Sequence, residues 1–311
     1  MTETRRDDEP AFSHATAEAA RAVTGPPPEP RRPAGGGAKR WIRQTLLMLP
    51  LVALVLWTLA PFLVTVSVSF KNRAEVFANP SLIPSSPSLD AYREVLASES
   101  FTSSFLNSLI VGVGTTLLTL VIGVPAAYAF ARFNFRGRHL LLLFTLLPRL
   151  VPSLGIMVPI YRLAVATGML DKRLTLVIVY TGMLLPLAVW LMVGFFQQIP
   201  REIEEAANVD GASLLGRLRY IVAPLAAPAM ITIGVLAFRE AWNEFTLVLV
   251  LTSSPGNRTL PFELYLMQGI EGIANFPAEA AFTLLTVLPF ILVYTRVEKY
   301  VVAGLVTGSG K

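Results

Sequence analysis

The sequence predicts an all-α integral membrane protein with six transmembrane helices. Three observations carry that reading. Hydrophobic residues make up 53% of the 311 residues and charged residues only 15%, against about 25% charged in a soluble chain, and the mean hydropathy is +0.58. Six stretches are apolar over roughly the 20 residues that cross a bilayer as a helix. The basic residues are distributed unevenly between the connecting segments.

The first stretch, Thr45 to Phe70, carries no charge, and neither do Ser103 to Ala131 and Leu174 to Gln198. Leu140 to Tyr161 holds one, Arg149. Ile221 to Thr252 is long and holds Arg239, Glu240 and Glu244, while Ala280 to Thr295 is short, with further apolar residues at Val301, Val302 and Leu305. Helices of this kind satisfy their own backbone hydrogen bonds in lipid. With six spans both termini share one side. If that side is cytoplasmic, 17 of the 26 Lys and Arg residues lie inside and 7 outside, as the positive-inside rule requires. Arg132, Arg136 and Arg138 give the sharpest local signal, in one short loop without an acid.

Residues 1–40 read as a disordered cytoplasmic tail, with Pro26-Pro27-Pro28, Pro30, Pro33 and Gly35-Gly36-Gly37 among mixed charges. Residues 41–311 form the membrane domain. The absence of cysteine, with only His14 and His139 as histidines, removes thiol chemistry and leaves little for a metal site or a triad. The basic balance is a matter of membrane topology, not of nucleic acid.

Within the spans, Ser108, Gly112, Thr116, Thr119, Gly123 and Ala127 recur every three or four residues. They make a small-residue face that lets another helix come close. Pro148, Pro152 and Pro159 in the third span, and Pro186 in the fourth, each remove a backbone donor and bend or break the helix. Charge at membrane depth is costly and marks either an ion pair or a pathway. Arg149, Arg239, Glu240 and Glu244 therefore read either as structural pairs or as contacts to a polar substrate.

Between the fourth and fifth spans, 199–220 reads as a compact knob. Pro200 suits a helix start, and Glu202, Glu204 and Glu205 favour the positive helix end. Gly211 suits a stop with positive φ, and Ser213 caps a second helix.

Here the chain resembles a known family. Glu205-Ala206-Ala207, then Gly211, Ile221 and Pro224, with Ala223 where leucine is usual, is similar to the EAA loop of binding-protein-dependent ABC importer permeases. Asn107-Ser108-Leu109, Ala127 to Phe133 and Phe135-Arg136-Gly137-Arg138 resemble the maltose-type carbohydrate subfamily. Gly168 to Asp171, Trp242-Asn243-Glu244-Phe245 and Thr259-Leu260-Pro261 are similar to others of its segments. The resemblance implies the type I ABC importer permease fold over 41–311. It implies that 199–220 is a coupling loop seated on a cytoplasmic ATPase: Glu205 pairs with a basic residue there, Ala206 and Ala207 allow close approach, Gly211 makes the turn, and Asp210 belongs to the same coupling segment. It also implies a second permease subunit, two ATPase subunits that carry ATP and Mg, an extracytoplasmic solute-binding protein and a sugar substrate. No cofactor or catalytic residue is expected on this chain, which is expected in the bacterial inner membrane.

Candidate pathway residues are Arg149, Tyr180, Trp190, Trp242, Asn243 and Glu244, since hydroxyls and aromatic faces suit sugars; tryptophan near a span end also serves as an interface anchor. Three other readings stay open at this point. They are a permease of the same fold for a polyol, glycerol phosphate, amino acid or peptide; an ion-gradient transporter using Glu240 and Glu244 as proton sites; and a membrane enzyme with Asp/Glu chemistry.

Overall fold

The computed structural model describes residues 37–269 and 275–309, and every regular element among them is helical. The expected tail therefore falls outside the described residues up to 36. The elements are α1 (Gly37–Ser69), α2 (Arg73–Ala78), α3 (Asp90–Ala97), α4 (Glu99–Arg132), α5 (Arg138–Leu146), α6 (Ser153–Ala166) and α7 (Arg173–Gln198). They continue as α8 (Arg201–Val209), α9 (Leu214–Arg217), α10 (Ala223–Leu225), α11 (Ala227–Asn243), α12 (Val248–Leu251), α13 (Leu260–Gly269) and α14 (Phe276–Ser309). Contacts group the chain into two units, Met1–Ala60 and Pro61–Lys311. In the first, the side chains of 47–60 are all exposed, and they are almost wholly apolar, as a lipid-facing helix requires.

Four helices among the described residues are long and apolar enough to cross a membrane alone. The other two expected spans are each broken. The third turns by 94° between Leu150 and Ser153, where Pro148 starts a short 3-10 turn and Pro152 precedes α6. The fifth turns by 80° between α10 and α11, after a π turn at Leu218–Val222 and with Pro224 and Pro228 in the first turns of α10 and α11. The missing proline N–H groups are the physical cause of both breaks. The fifth span also ends as a helix at Asn243 instead of running to 252. Glu244 takes extended backbone, and its carboxylate accepts from Leu247 N at 2.9 Å, starting α12.

α4 is the axis of the larger unit. Five of the six small residues on its predicted face are buried. At Gly123 the neighbours are Leu185, Ala188 and Val189 of α7. At Gly112 a Cβ would stand 2.8 Å from the Phe238 ring of α11. Val124, Ala127, Tyr128 and Ala131 of α4 close a core with Val189, Met192 and Phe196 of α7 and with Leu218 and Val222 of the π turn.

At the opposite end of α4, polar side chains pin the 252–260 loop. Asn107 Nδ2 donates to Gly256 O at 2.8 Å and Arg258 O at 2.9 Å, and Ser108 Oγ accepts from Leu260 N at 2.8 Å. Asp171 adds a second anchor. Its carboxylate accepts from Ser253 N at 3.0 Å and Ser254 N at 3.2 Å, and its carbonyl accepts from Asn257 Nδ2 at 2.7 Å. Asp171 holds a left-handed backbone, φ 59°, which Asp tolerates better than most residues. Burial pushes its carboxyl up, but the hydrogen bonds from Ser254 and Ser253 outweigh it and hold the pKa at about 2.

Two tests follow from this packing. Gly112→Ala should lower the melting temperature of the purified protein, since overpacking costs about 1–3 kcal/mol. Gly123→Ala, whose Cβ would meet Leu185 at an ordinary 3.6 Å, should not. Equal melting of both variants and the parent would contradict the close contact at Gly112. Asp171→Ala should destabilise by about 2 kcal/mol through lost charge-assisted hydrogen bonds. A carboxyl whose pKa is lowered by folding stabilises above its unfolded pKa and ceases to do so as pH falls through the folded value. The deficit should therefore be full above pH ~4 and vanish as pH falls through about 2; a deficit independent of pH would refute the assignment.

Candidate functional site

The knob is built by local rules. Pro200 stands at the N-cap of α8, with Glu202 and Glu204 in its first turn. At its end Gly211 N donates to Asn208 O at 3.1 Å and Ala212 N to Ala207 O at 2.9 Å, a Schellman closure that needs the positive φ of Gly211, 82°. Nothing stands within 4 Å of a Cβ built there, so backbone conformation, not crowding, selects glycine. Ser213 Oγ then accepts from Gly216 N at 3.1 Å and opens α9.

Of the residues expected to couple, Glu205, Ala206, Asp210 and Gly211 are exposed and Ala207 is half-buried. Apolar side chains lie beside them: Val209 is 87% exposed, Leu215 70% and Tyr220 72%. The single buried residue of α8 is Glu204. Its Oε1 accepts from Arg132 Nε at 2.6 Å and its Oε2 from Tyr128 Oη at 2.6 Å. Arg132 also donates from Nη2 to Ile199 O at 2.9 Å, at the end of α7. The two side chains of this pair are only 9% and 8% exposed. Removing one member of such a pair strands a buried charge, at a cost of about 3–5 kcal/mol. Sequence reading placed Glu204 only as a first-turn acid. The signal for its partner was the spacing of Tyr128 and Arg132, one turn apart on one face of α4.

A second polar group sits between the break of the third span and the end of α11. Tyr180 Oη donates to Glu244 Oε2 at 2.7 Å. Arg149, Tyr180, Glu240 and Glu244 line a cavity of about 50 Å³. Arg149 also borders a cleft of about 700 Å³, with Pro148, Pro152, Ser153, Gly182 and Met183. Arg239 pairs with Glu240, and Glu244 is occupied by Tyr180 and the amides of α12. Among the described residues Arg149 has no ion pair, and it is exposed.

The other pathway candidates lie elsewhere. Trp190 is 47% exposed on α7, away from this group. Trp242 is buried, with its ring 5.9 Å from Phe105 and 5.2 Å from Phe238, in the aromatic core that also holds Phe101 and Phe282. Asn243 donates to Arg239 O at 2.8 Å and closes the last turn of α11. The geometry thus brings Arg149, Tyr180 and Glu244 together and leaves Trp190, Trp242 and Asn243 out of the group.

Residues 119–306 match the family model described as binding-protein-dependent transport system inner membrane component. The chain is 35% identical to a sulfoquinovosyl glycerol transport system permease of Agrobacterium fabrum, over 78% of this chain and 85% of the relative. It is 34% identical to a trehalose transport system permease of Mycobacterium tuberculosis, over 82% and 93%, and 30% identical to a trehalose/maltose transport system permease of Thermococcus litoralis, over 87% and 98%. A solved bacterial ABC transporter involved in the import of alginate superposes with a TM-score of 0.75 at 25% identity, over 86% of this chain and 99% of that one. With the broken spans and the knob in place, the chain belongs to the family of binding-protein-dependent transport system inner membrane components, with the fold of the ABC importer permeases.

Proposed function

We propose that this chain is one of two permease subunits of an ATP-driven importer for a sugar or oligosaccharide. The observation that carries the proposal is the knob. It presents Val209, Leu215 and Tyr220 to the outside while the one buried side chain of α8 is tied to the membrane helices. An exposed apolar group of this kind fits a protein partner, and the place of the Glu205-Ala206-Ala207 segment fits a cytoplasmic ATPase that binds ATP and Mg. The relatives named for trehalose, maltose and sulfoquinovosyl glycerol support a sugar as cargo.

In this reading the termini, the Arg132–Arg138 loop and 199–220 lie in the cytoplasm. A solute-binding protein docks on 71–102 and 253–279. Lys71 Nζ holds the first of these segments by donating to Asn79 O and Ser81 O at 2.8 and 2.6 Å, and it exposes Phe77 and Ile83. The cleft beside Arg149, with Tyr180 and Glu244, borders the pathway. Closure of the ATPases moves the knob, and the helices exchange inward for outward access. Such an exchange needs each state to make different contacts with the ATPase.

The test is substrate-stimulated ATP hydrolysis by the complex reconstituted with its partner permease, ATPases and binding protein, screened over sugars. Stimulation by one sugar is expected. Uptake that follows a proton gradient at constant ATP would instead support the ion-driven alternative, and stimulation by a polyol, peptide or amino acid would change the cargo. Gly211→Asp should abolish stimulated uptake while the chain still inserts, because it adds a charged side chain at the exposed turn proposed to meet the ATPase; normal uptake would refute a coupling role. Val209→Asp, at a fully exposed position, should leave the fold intact and reduce ATPase co-purification at least about tenfold, the scale of an interface contact of 1.4 kcal/mol or more.

A further inference from the structure

α8 has one buried side chain, and that side chain reaches α4. We infer that Glu204, held by Arg132 and Tyr128, is a positioning residue that makes the knob and α4 move as one body during transport. The inference rests on the reading of the chain as an ATP-driven permease and adds the route by which motion enters the membrane helices.

The geometry supplies three parts. First, the rest of α8 is exposed or half-buried. Beyond its chain neighbours, then, the firm tether of α8 is the Glu204 carboxylate. Second, Tyr128 and Arg132 approach that carboxylate from one face of α4, each at 2.6 Å and each to its own oxygen. Two-point attachment fixes orientation as well as distance. Arg132 takes Ile199 O with a further nitrogen, so one guanidinium holds both sides of the corner between α7 and α8. Third, α4 continues unbroken to Asn107 and Ser108, about 38 Å away at 1.5 Å per residue, where those side chains hold the 252–260 loop. A push on α8 thus enters one continuous helix, with Pro125 inside it, that runs to the 252–260 loop. Without the carboxylate, the Pro200 and Gly211 corners leave α8 free to swing against the bundle.

The experiment compares substrate transported per ATP hydrolysed in proteoliposomes of the complete complex. Glu204→Gln is expected to assemble with the ATPases and to keep its stimulated hydrolysis within about twofold, while transport per ATP falls about tenfold, within the usual range of coupling energies. Tyr128→Phe, which keeps the ion pair, should give a smaller fall in the same ratio. The exchanged pair Arg132→Glu with Glu204→Arg should recover part of it. An unchanged ratio in Glu204→Gln would overturn the inference, as would hydrolysis and transport falling in equal proportion. If Glu204→Gln does not assemble, Tyr128→Phe decides, and an unchanged ratio there overturns it. Failure of the parent complex to couple ATP to uptake would be seen without any variant and would overturn the proposed function itself.

Discussion

In lipid no hydrophobic effect presses one apolar helix against another, so this bundle depends on how closely backbones can approach α4. That constraint explains the residue choice along its length. At Gly112 the ring of Phe238 occupies the space of a side chain, and a Cβ built on Gly234 of α11 would stand 3.5 Å from Thr116 and 3.7 Å from Leu120. The same helix meets α7 at Gly114, where Val177 stands 3.0 Å from a built Cβ, and at Gly123. Once α4 is fixed between α7 and α11, the knob and the 252–260 loop each attach to one of its ends.

The polar groups follow a second constraint, that backbone freed by a break must be satisfied or must border a cavity. Glu244 answers the end of α11 by capping α12, and Tyr180 holds it there. The third span breaks without a comparable cap. Pro148, Pro152 and Arg149 border the larger cleft instead. The two places therefore differ in kind: the end of α11 is sealed by a carboxylate, and the break of the third span faces open volume with a guanidinium that has no ion pair among the described residues.

The six spans, the small face of α4 and the course of the knob were legible in the sequence, because length, small-residue spacing and turn chemistry are local. Gly211 is the clearest case, since a helix stop with positive φ announces itself in a few residues. What was not legible lies at long sequence separation. Glu204 read as a helix-start carboxylate, because nothing nearby shows that Arg132 is its partner 72 residues earlier. Trp242 read as a pathway aromatic, because its side-chain type suits sugars; its burial against Phe105 depends on which face of α11 turns to α4. The end of the fifth span at Asn243 was hidden for a simpler reason: the residues after Glu244 are as apolar as those before it. Asn107-Ser108, Asp171 and Thr259-Leu260-Pro261 stood out as separate segments, and only the fold shows that they meet at one loop.

The separation of Arg132 from Glu204 has a consequence for biosynthesis. At ribosomal rates of about 5–20 residues per second, 72 residues take about 4–14 s. Through that interval Arg132 is an unpaired cation beside Arg136 and Arg138. In the orientation proposed above, such a cluster holds a nascent loop on the cytoplasmic side while neighbouring helices enter the bilayer. When α8 is complete, Glu204 withdraws one of the three charges into the folded protein. In that orientation the same guanidinium serves insertion first and the folded anchor to Glu204 afterwards.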